Sequence, residues 1–161
     1  VLQRAKNYAV QFDGKTMKNL LFVGTTGLGK THLSSAIAKV IIDNGYDVLY
    51  ESAQKIFSDF EAEKFGRTAQ GEDRTGKYLD CDLLIIDDLG SEVSNQFTVS
   101  CIYNVINNRI SLGRPTLIST NLNQNEIGDR YWDRITSRLF GEYLPLVFSG
   151  TDVRKQKIVK K

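Results

Sequence analysis

Leu20-Leu21-Phe22-Val23-Gly24-Thr25-Thr26-Gly27-Leu28-Gly29-Lys30-Thr31 is the stretch around which the rest of this chain is read. Leu20 to Val23 form an apolar run broken by glycine, the mark of a short strand buried on both faces. Gly24 to Thr31 fit G-x-x-x-x-G-K-[ST] at every position. From Lys30 to Asn44, Leu33, Ile37, Val40 and Ile41 recur at helical spacing, and Gly45 supplies the stop. Strand, glycine-rich turn and helix in that order make a cradle for phosphate. The glycines let the backbone curl until several amide N–H groups converge on one anion. The helix adds the positive end of its dipole. Lys30 then reaches the β- and γ-phosphates, and the Thr31 hydroxyl can ligate Mg²⁺. His32 follows at once; it reads as a further contact of the loop or as a structural residue of the first helical turn.

The same alternation continues outward. Asp47–Tyr50 reads as a second strand, and Ser52 caps a helix that carries Ile56, Phe57 and Phe60 on one face and fades near Gly66. Gly66–Gly76 is polar and glycine-rich, a loop. Leu83–Ile86 is the most apolar run and ends in Asp87-Asp88. Phe97, Cys101 and Val105, with Ile102, Ile106 and Ile110 beside them, predict a long helix ended by Gly113 and Pro115. Thr116–Ser119 and Leu144–Phe148 are further strands, and Ile135–Leu139 lies in a helix between them. Near-continuous apolar strands separated by helices predict an α/β fold, a doubly wound, mainly parallel five-stranded sheet covered on both faces. Right-handed crossovers place all strand C-termini on one edge, where ligands bind such sheets.

Asp87, Asp88 and Asn121 all fall at that edge. A buried strand delivering two carboxylates beside a phosphate loop suits Asp87 to Mg²⁺, largely through water, and Asp88 to an attacking water. Alone, the pair reads equally well as acidic turn residues, and Asn121 as a turn asparagine. A strand between the phosphate-loop strand and the Asp87 strand in the chain suits NTPases that insert a strand between these two elements in the sheet. Arg134 and Arg138, four apart, share a helix face. They read as surface ion pairs or as an arginine finger for a neighbouring subunit's γ-phosphate.

GTTGLGKTH (24–32), LLIIDDLG (83–90), ISTN (118–121) and DRITSRLF (133–140), in this order and spacing, resemble the AAA+ ATPases of the DnaC/DnaI helicase-loader and IstB group over nearly the whole chain. The resemblance implies a P-loop NTPase that binds ATP/ADP and Mg²⁺. It implies Lys30, Asp87, Asp88, Asn121 and Arg138 as catalytic residues, with Asn121 as sensor 1. Arg138 is the finger acting in trans within a homo-oligomer, with Arg134 as the alternative, and Arg154 matches the sensor 2-like arginine. Loaders of this group line an oligomer channel with the helix after the second strand, here Ser52–Phe65. Lys64, Phe65 and Arg67 are then the candidate contacts to single-stranded DNA, the cations for phosphate and the ring for stacking, with an ordinary helix end as the plain reading. A replicative hexameric helicase is the implied partner and the cytoplasm the implied place. Two departures stand out. Asp88 occupies a position where many AAA+ proteins have glutamate. The expected division is a lead-in at 1–18, a core at 19–150 and a basic tail at 151–161, without a loader's N-terminal domain or a full helical lid.

Composition sets the outer limits. The chain has 161 residues, 41% hydrophobic and 25% charged, with 2 prolines, which suits one globular domain and excludes collagen-like or disulfide-scaffold classes. A net charge of +2 gives no global field for nucleic acid, so any DNA contact must be local. No apolar run approaches the ~18 residues of a membrane span, and VLQRAKNYAV is too charged for a signal peptide. The first residue is Val1, not Met, so a preceding segment is expected in the natural protein. Cys81 and Cys101 lack metal-ligand spacing and read as small buried hydrophobes. Tyr8 and Phe12 read as packing for a first helix or as flanks of an adenine. Competing functions are an IstB-type transposition helper acting on duplex DNA, a small-molecule kinase, and a nucleotide-gated binding module with negligible turnover.

Overall fold

The computed structural model describes residues 1–66 and 73–152. Arg67 and Arg154 lie outside the described residues. In chain order the elements are α1 (Leu2–Val10), β1 (Asn19–Val23), α2 (Lys30–Asp43), β2 (Val48–Ser52), α3 (Ala53–Lys64), α4 (Gly76–Asp80), β3 (Leu83–Leu89), α5 (Gln96–Ser111), β4 (Thr116–Thr120), α6 (Gln124–Glu142) and β5 (Tyr143–Val147). The five strands form one sheet in the order β2-β3-β4-β1-β5, and every pairing is parallel. The expected α/β, doubly wound architecture is present. No described helix is long and apolar enough to cross a membrane.

Alternation along the strands divides the core. Leu20, Phe22, Leu83, Ile85 and Leu117 face α1 and α2, where Ala5, Tyr8, Ile37 and Ile41 meet them. Leu21, Leu84, Ile86 and Ile118 face α3, α5 and α6. Both faces are covered, so the strands are apolar nearly throughout instead of alternating. Residues 1–18, read as a lead-in, contribute α1 to the first layer. Tyr8 and Phe12 are buried there, Phe12 edge-on to Tyr46 at 5.0 Å between ring centroids, so both are packing residues. Cys81 and Cys101 are free and buried, as their apolar surroundings predicted.

Caps fix several boundaries. The Ser52 hydroxyl accepts from Lys55 N at 3.2 Å and starts α3, as expected. Asn95 and Asn123 each open their helix with a capping box. One feature departs from the sequence reading. β3 does not stop at the acidic pair but runs on to Leu89 through a bulge, because Ile86 pairs with Ile118 and Leu89 with Thr120. Ile135–Leu139 lies in a helix as expected, the long α6, which has a kink at Trp132, where φ is 65°. The strand inserted between β1 and β3 in the sheet is β4, while β2 lies at the edge.

At the opposite edge, where β3 and β4 begin, the fully buried Arg109 of α5 gathers the incoming chain. Its guanidinium donates to the carbonyls of Tyr78 (3.0 Å), Cys81 (3.1 Å) and Pro115 (2.7 Å), and Nε donates to the Thr116 hydroxyl (3.0 Å). Each carbonyl left unpaired in the interior costs ~1–3 kcal/mol. Arg109→Leu is therefore expected to lose at least ~3 kcal/mol in urea unfolding. Arg109→Lys should recover only part of that loss, because an ammonium cannot reproduce the planar fork. A loss below ~1 kcal/mol would contradict the role of Arg109 as organiser of this edge.

Candidate nucleotide site

The parallel sheet brings three strand ends to one edge, and the inserted β4 decides what meets there. Val23 pairs with Thr120 across β1 and β4, so Asn121 emerges directly beside the start of the glycine-rich loop. Gly24 N donates to Thr120 O at 3.3 Å, which extends the pairing into the loop. The loop then turns through Gly27 (φ 82°) and enters α2 over Gly29, whose φ of 88° makes it a left-handed N-cap. Gly24 passes so close to β5 that a Cβ there would lie 2.5 Å from the Phe148 carbonyl oxygen. A side chain at Gly27 would strike the Asp152 carboxylate.

Lys30 opens α2 and is 7% exposed. A buried ammonium needs oxygen around it. Its Nζ donates to Gly24 O, to Thr25 O at 3.0 Å and to Asn121 Oδ1 at 2.7 Å. The other end of the Asn121 amide, Nδ2, donates to Asp88 Oδ1 at 2.9 Å. One side chain thus links the loop lysine to the second carboxylate of β3. Asp88 is held by its backbone as well: φ is 57°, and its N–H donates to Ser119 Oγ at 2.9 Å.

Asp87 shares Ser119 with Asp88 and has further partners of its own. Thr31 Oγ1 lies 3.3 Å from Oδ1, Ser119 Oγ donates to the same oxygen, and Tyr50 OH donates to Oδ2 at 3.0 Å. Burial, and then the charge of Asp87, push the Tyr50 phenol above its ordinary value and keep it a donor. Donors aimed at both oxygens hold the Asp87 carboxylate in one orientation. Among the described residues no group of three or more His, Cys, Asp or Glu side chains could hold a metal ion. Thr31 and Asp87 instead form a hard-oxygen half-site, which suits Mg²⁺, an ion that keeps several waters and completes its shell with phosphate oxygens.

Lys30, Thr31, Asp87, Asp88, Ser119 and Asn121 line a cavity of about 860 Å³ that also includes Thr26 and His32, within the size range of small-molecule sites. His32 is exposed at its rim. The structure therefore brings together the loop residues, Lys30, Thr31, Asp87, Asp88 and Asn121. It does not bring Arg138 or Arg134 to them. α6 runs back from the β4 tip to the start of β5, and Arg138, in its last turns, lies 3.9 Å from Glu142 near the opposite edge. Lys64 and Phe65 are at the exposed end of α3, with Lys64 Nζ 4.7 Å from the Phe97 ring centroid and 5.7 Å from that of Phe65. Phe57 is buried and Phe60 lies nearly parallel to Tyr78, so both belong to the core. Sequence reasoning missed Tyr50 and gave Ser119 no task of its own. Their signal is pairing rather than motif: Ser52 pairs with Asp87, and Ser119 lies on the neighbouring strand.

Comparison with known proteins agrees with this geometry. The family model described as IstB-like ATP binding protein matches residues 9–139. The replicative helicase loader DnaC of Buchnera aphidicola subsp. Baizongia pistaciae is 30% identical over 158 residues, 97% of this chain and 64% of that protein. DnaC of Escherichia coli K12 is 29% identical over 157 residues, 96% of this chain and 63% of that protein. This chain thus spans less than two thirds of the length of these relatives. A crystal structure of the DnaC helicase loader superposes with a TM-score of 0.79 at 24% identity, covering 91% of this chain and 87% of the other, which shows a common fold.

The close passage of Gly24 gives a direct test. Gly24→Ala is expected to weaken binding of a fluorescent ATP analogue by at least ~10-fold, since even a methyl group must displace the loop from β5. Circular dichroism should stay unchanged. An unaltered dissociation constant would contradict the assignment of this loop to phosphate.

Proposed function

This chain belongs to the family of IstB-like ATP binding proteins, and from that premise we propose that it is the ATP-hydrolysing domain of a cytoplasmic protein that loads a replicative hexameric helicase onto single-stranded DNA. The observation that carries the proposal is the Lys30–Asn121–Asp88 connection beside the Thr31–Asp87 pair. Two relatives that align with nearly all of this chain bear the helicase-loader name. That supports the choice of substrate and partner.

In this reading the amide groups of Thr25 to Thr31 hold the β- and γ-phosphates, and Lys30 exchanges an oxygen of its present set for a phosphate oxygen. Thr31 and Asp87 would hold Mg²⁺, which would supply neutralisation of phosphate charge. Asp88 orients the attacking water and takes up its proton, while Asn121 fixes Asp88 and detects the γ-phosphate. The water's oxygen bonds to phosphorus as the bond to the β-phosphate bridging oxygen breaks, and ADP leaves. Asp88 has a shorter side chain than glutamate, so turnover is slow until a neighbour completes the site.

The direction of α6 supports a finger in trans. Arg138 lies in the last turns of α6, away from its own site, and is half-exposed, where it can serve a second copy of the chain in a homo-oligomer. Such fingers contribute ~10³–10⁵ in rate. Single-stranded DNA meets Lys64 and Phe65, whose ring is 59% exposed. Arg67 and Arg154 keep the roles implied by resemblance. The second reading, a transposition helper acting on duplex DNA, is favoured by the description of the family model itself.

Turnover measured with single-stranded DNA and helicase tests this assignment. Asp88→Asn and Arg138→Ala are each expected to lose at least ~10²-fold in turnover with nucleotide affinity retained. Mixing the two variants should restore activity, because the first supplies a finger and the second an intact site. Failure of the mixture to recover would contradict a finger in trans. Lys64→Glu combined with Phe65→Ala should weaken single-stranded DNA binding without altering ATP binding. A preference for duplex, with no helicase association, would favour the transposition reading.

A further inference from the structure

Beyond the tip of β3 lies a buried carboxylate to which the reading above gives no task. The Glu92 side chain is 3% exposed. Gly90 N donates to Oε2 at 2.9 Å, the Tyr131 hydroxyl donates to Oε1, and Arg130 Nε lies 3.5 Å from Oε1. The Arg130 guanidinium also donates to the Glu92 carbonyl, and Ser94 Oγ donates to Arg130 O at 3.2 Å. The loop after Asp88 is therefore fastened to the first half of α6 through one desolvated charge. Removing either partner of such a pair strands the other in the interior.

Backbone strain marks the two ends of this fastening. Among the described residues, the non-glycine residues with left-handed φ are Asp88 (57°) and Trp132 (65°). Such conformations persist where the surroundings over-determine them, and they gather at switch regions. Asp88 is linked onward to Glu92 by short steps. Ser91 N and Oγ both donate to Asp88 O, at 3.2 and 2.8 Å, and Gly90 N donates to the carboxylate. Trp132 directly follows Arg130 and Tyr131, and the bend there sets the course of the second half of α6, which carries Arg134 and Arg138.

We infer that Glu92 is a positioning residue that couples Asp88 to the bend at Trp132, so that the state of the nucleotide site sets the orientation of the α6 half bearing the candidate finger. This rests on the nucleotide reading given above. The coupling is local and two-ended: Ser91 ties the turn to Asp88 O, and Gly90 within that turn shares the Glu92 carboxylate with Tyr131. A purely structural anchor would keep the loop folded yet leave Trp132 indifferent to nucleotide.

Trp132 is the single tryptophan of the chain and is 53% exposed, so its emission reports on the surroundings of the bend. The experiment titrates the protein, and its Glu92→Gln variant, with Mg-ATP. Binding is followed by calorimetry and the bend by tryptophan fluorescence. In the unmodified protein, binding is expected to shift Trp132 emission. In Glu92→Gln, binding should persist and most of the emission change should be lost. Tyr131→Phe removes one hydroxyl, should lose part of the change, and serves in place of Glu92→Gln if circular dichroism shows that variant unfolded. Binding that leaves Trp132 emission unchanged in the unmodified protein, or a full response in the variants, would overturn the coupling. Absence of calorimetric binding to the unmodified protein would overturn the nucleotide reading instead, and the coupling with it.

Discussion

A lysine ammonium buried at the start of a helix must be surrounded by oxygen, and the sheet order supplies the ring around Lys30. β4 lies between β1 and β3, so the tip of β4 meets the loop on one side and the acidic pair on the other. Asn121 stands at that tip, where its amide oxygen accepts from Lys30 and its NH2 donates to Asp88. The inserted strand keeps Asp88 apart from the lysine and ties both to one amide. The bulge that carries Asp88 to φ 57° and the Ser119 contact to its N–H are further parts of that arrangement.

What could be read in the residues depended on whether the signal was local. The glycine-rich loop, the apolar strands and the caps at Ser52 and Gly45 are matters of adjacent residues, and the structure places them as expected. The union of Lys30, Asp87 and Asn121 was also legible, because parallel strands put their C-termini on one edge. Tyr50 and Ser119 were not legible as partners of Asp87, since strand register creates those contacts and no spacing encodes register. The extension of β3 beyond Asp87 was hidden for the same reason: an apolar run followed by two aspartates resembles a strand end until the partner strand shows a bulge. Arg109 and Glu92 are a further case. Charged residues in a sequence read as surface, and only the assembled fold shows carbonyls converging on one and a tyrosine and an arginine on the other.

The two edges of the sheet are organised by opposite means. At the nucleotide edge, positive-φ glycines and side-chain hydrogen bonds leave a polar cavity with partners that can be exchanged. At the other edge, Arg109 fastens carbonyls with a rigid fork. Glu92 lies just beyond the nucleotide edge, past the tip of β3. It fastens the loop beyond the site to a helix that leads back across the molecule, which is why it is the natural place for information to pass from Asp88 to α6.

Equilibrium titration of the unmodified chain and of Lys30→Ala with Mg-ATP bears most directly on the account. The account requires saturable binding of one nucleotide per chain, abolished in a Lys30→Ala protein that retains its fold. Absence of saturable binding in the unmodified chain, or equal binding by the two proteins, would contradict it.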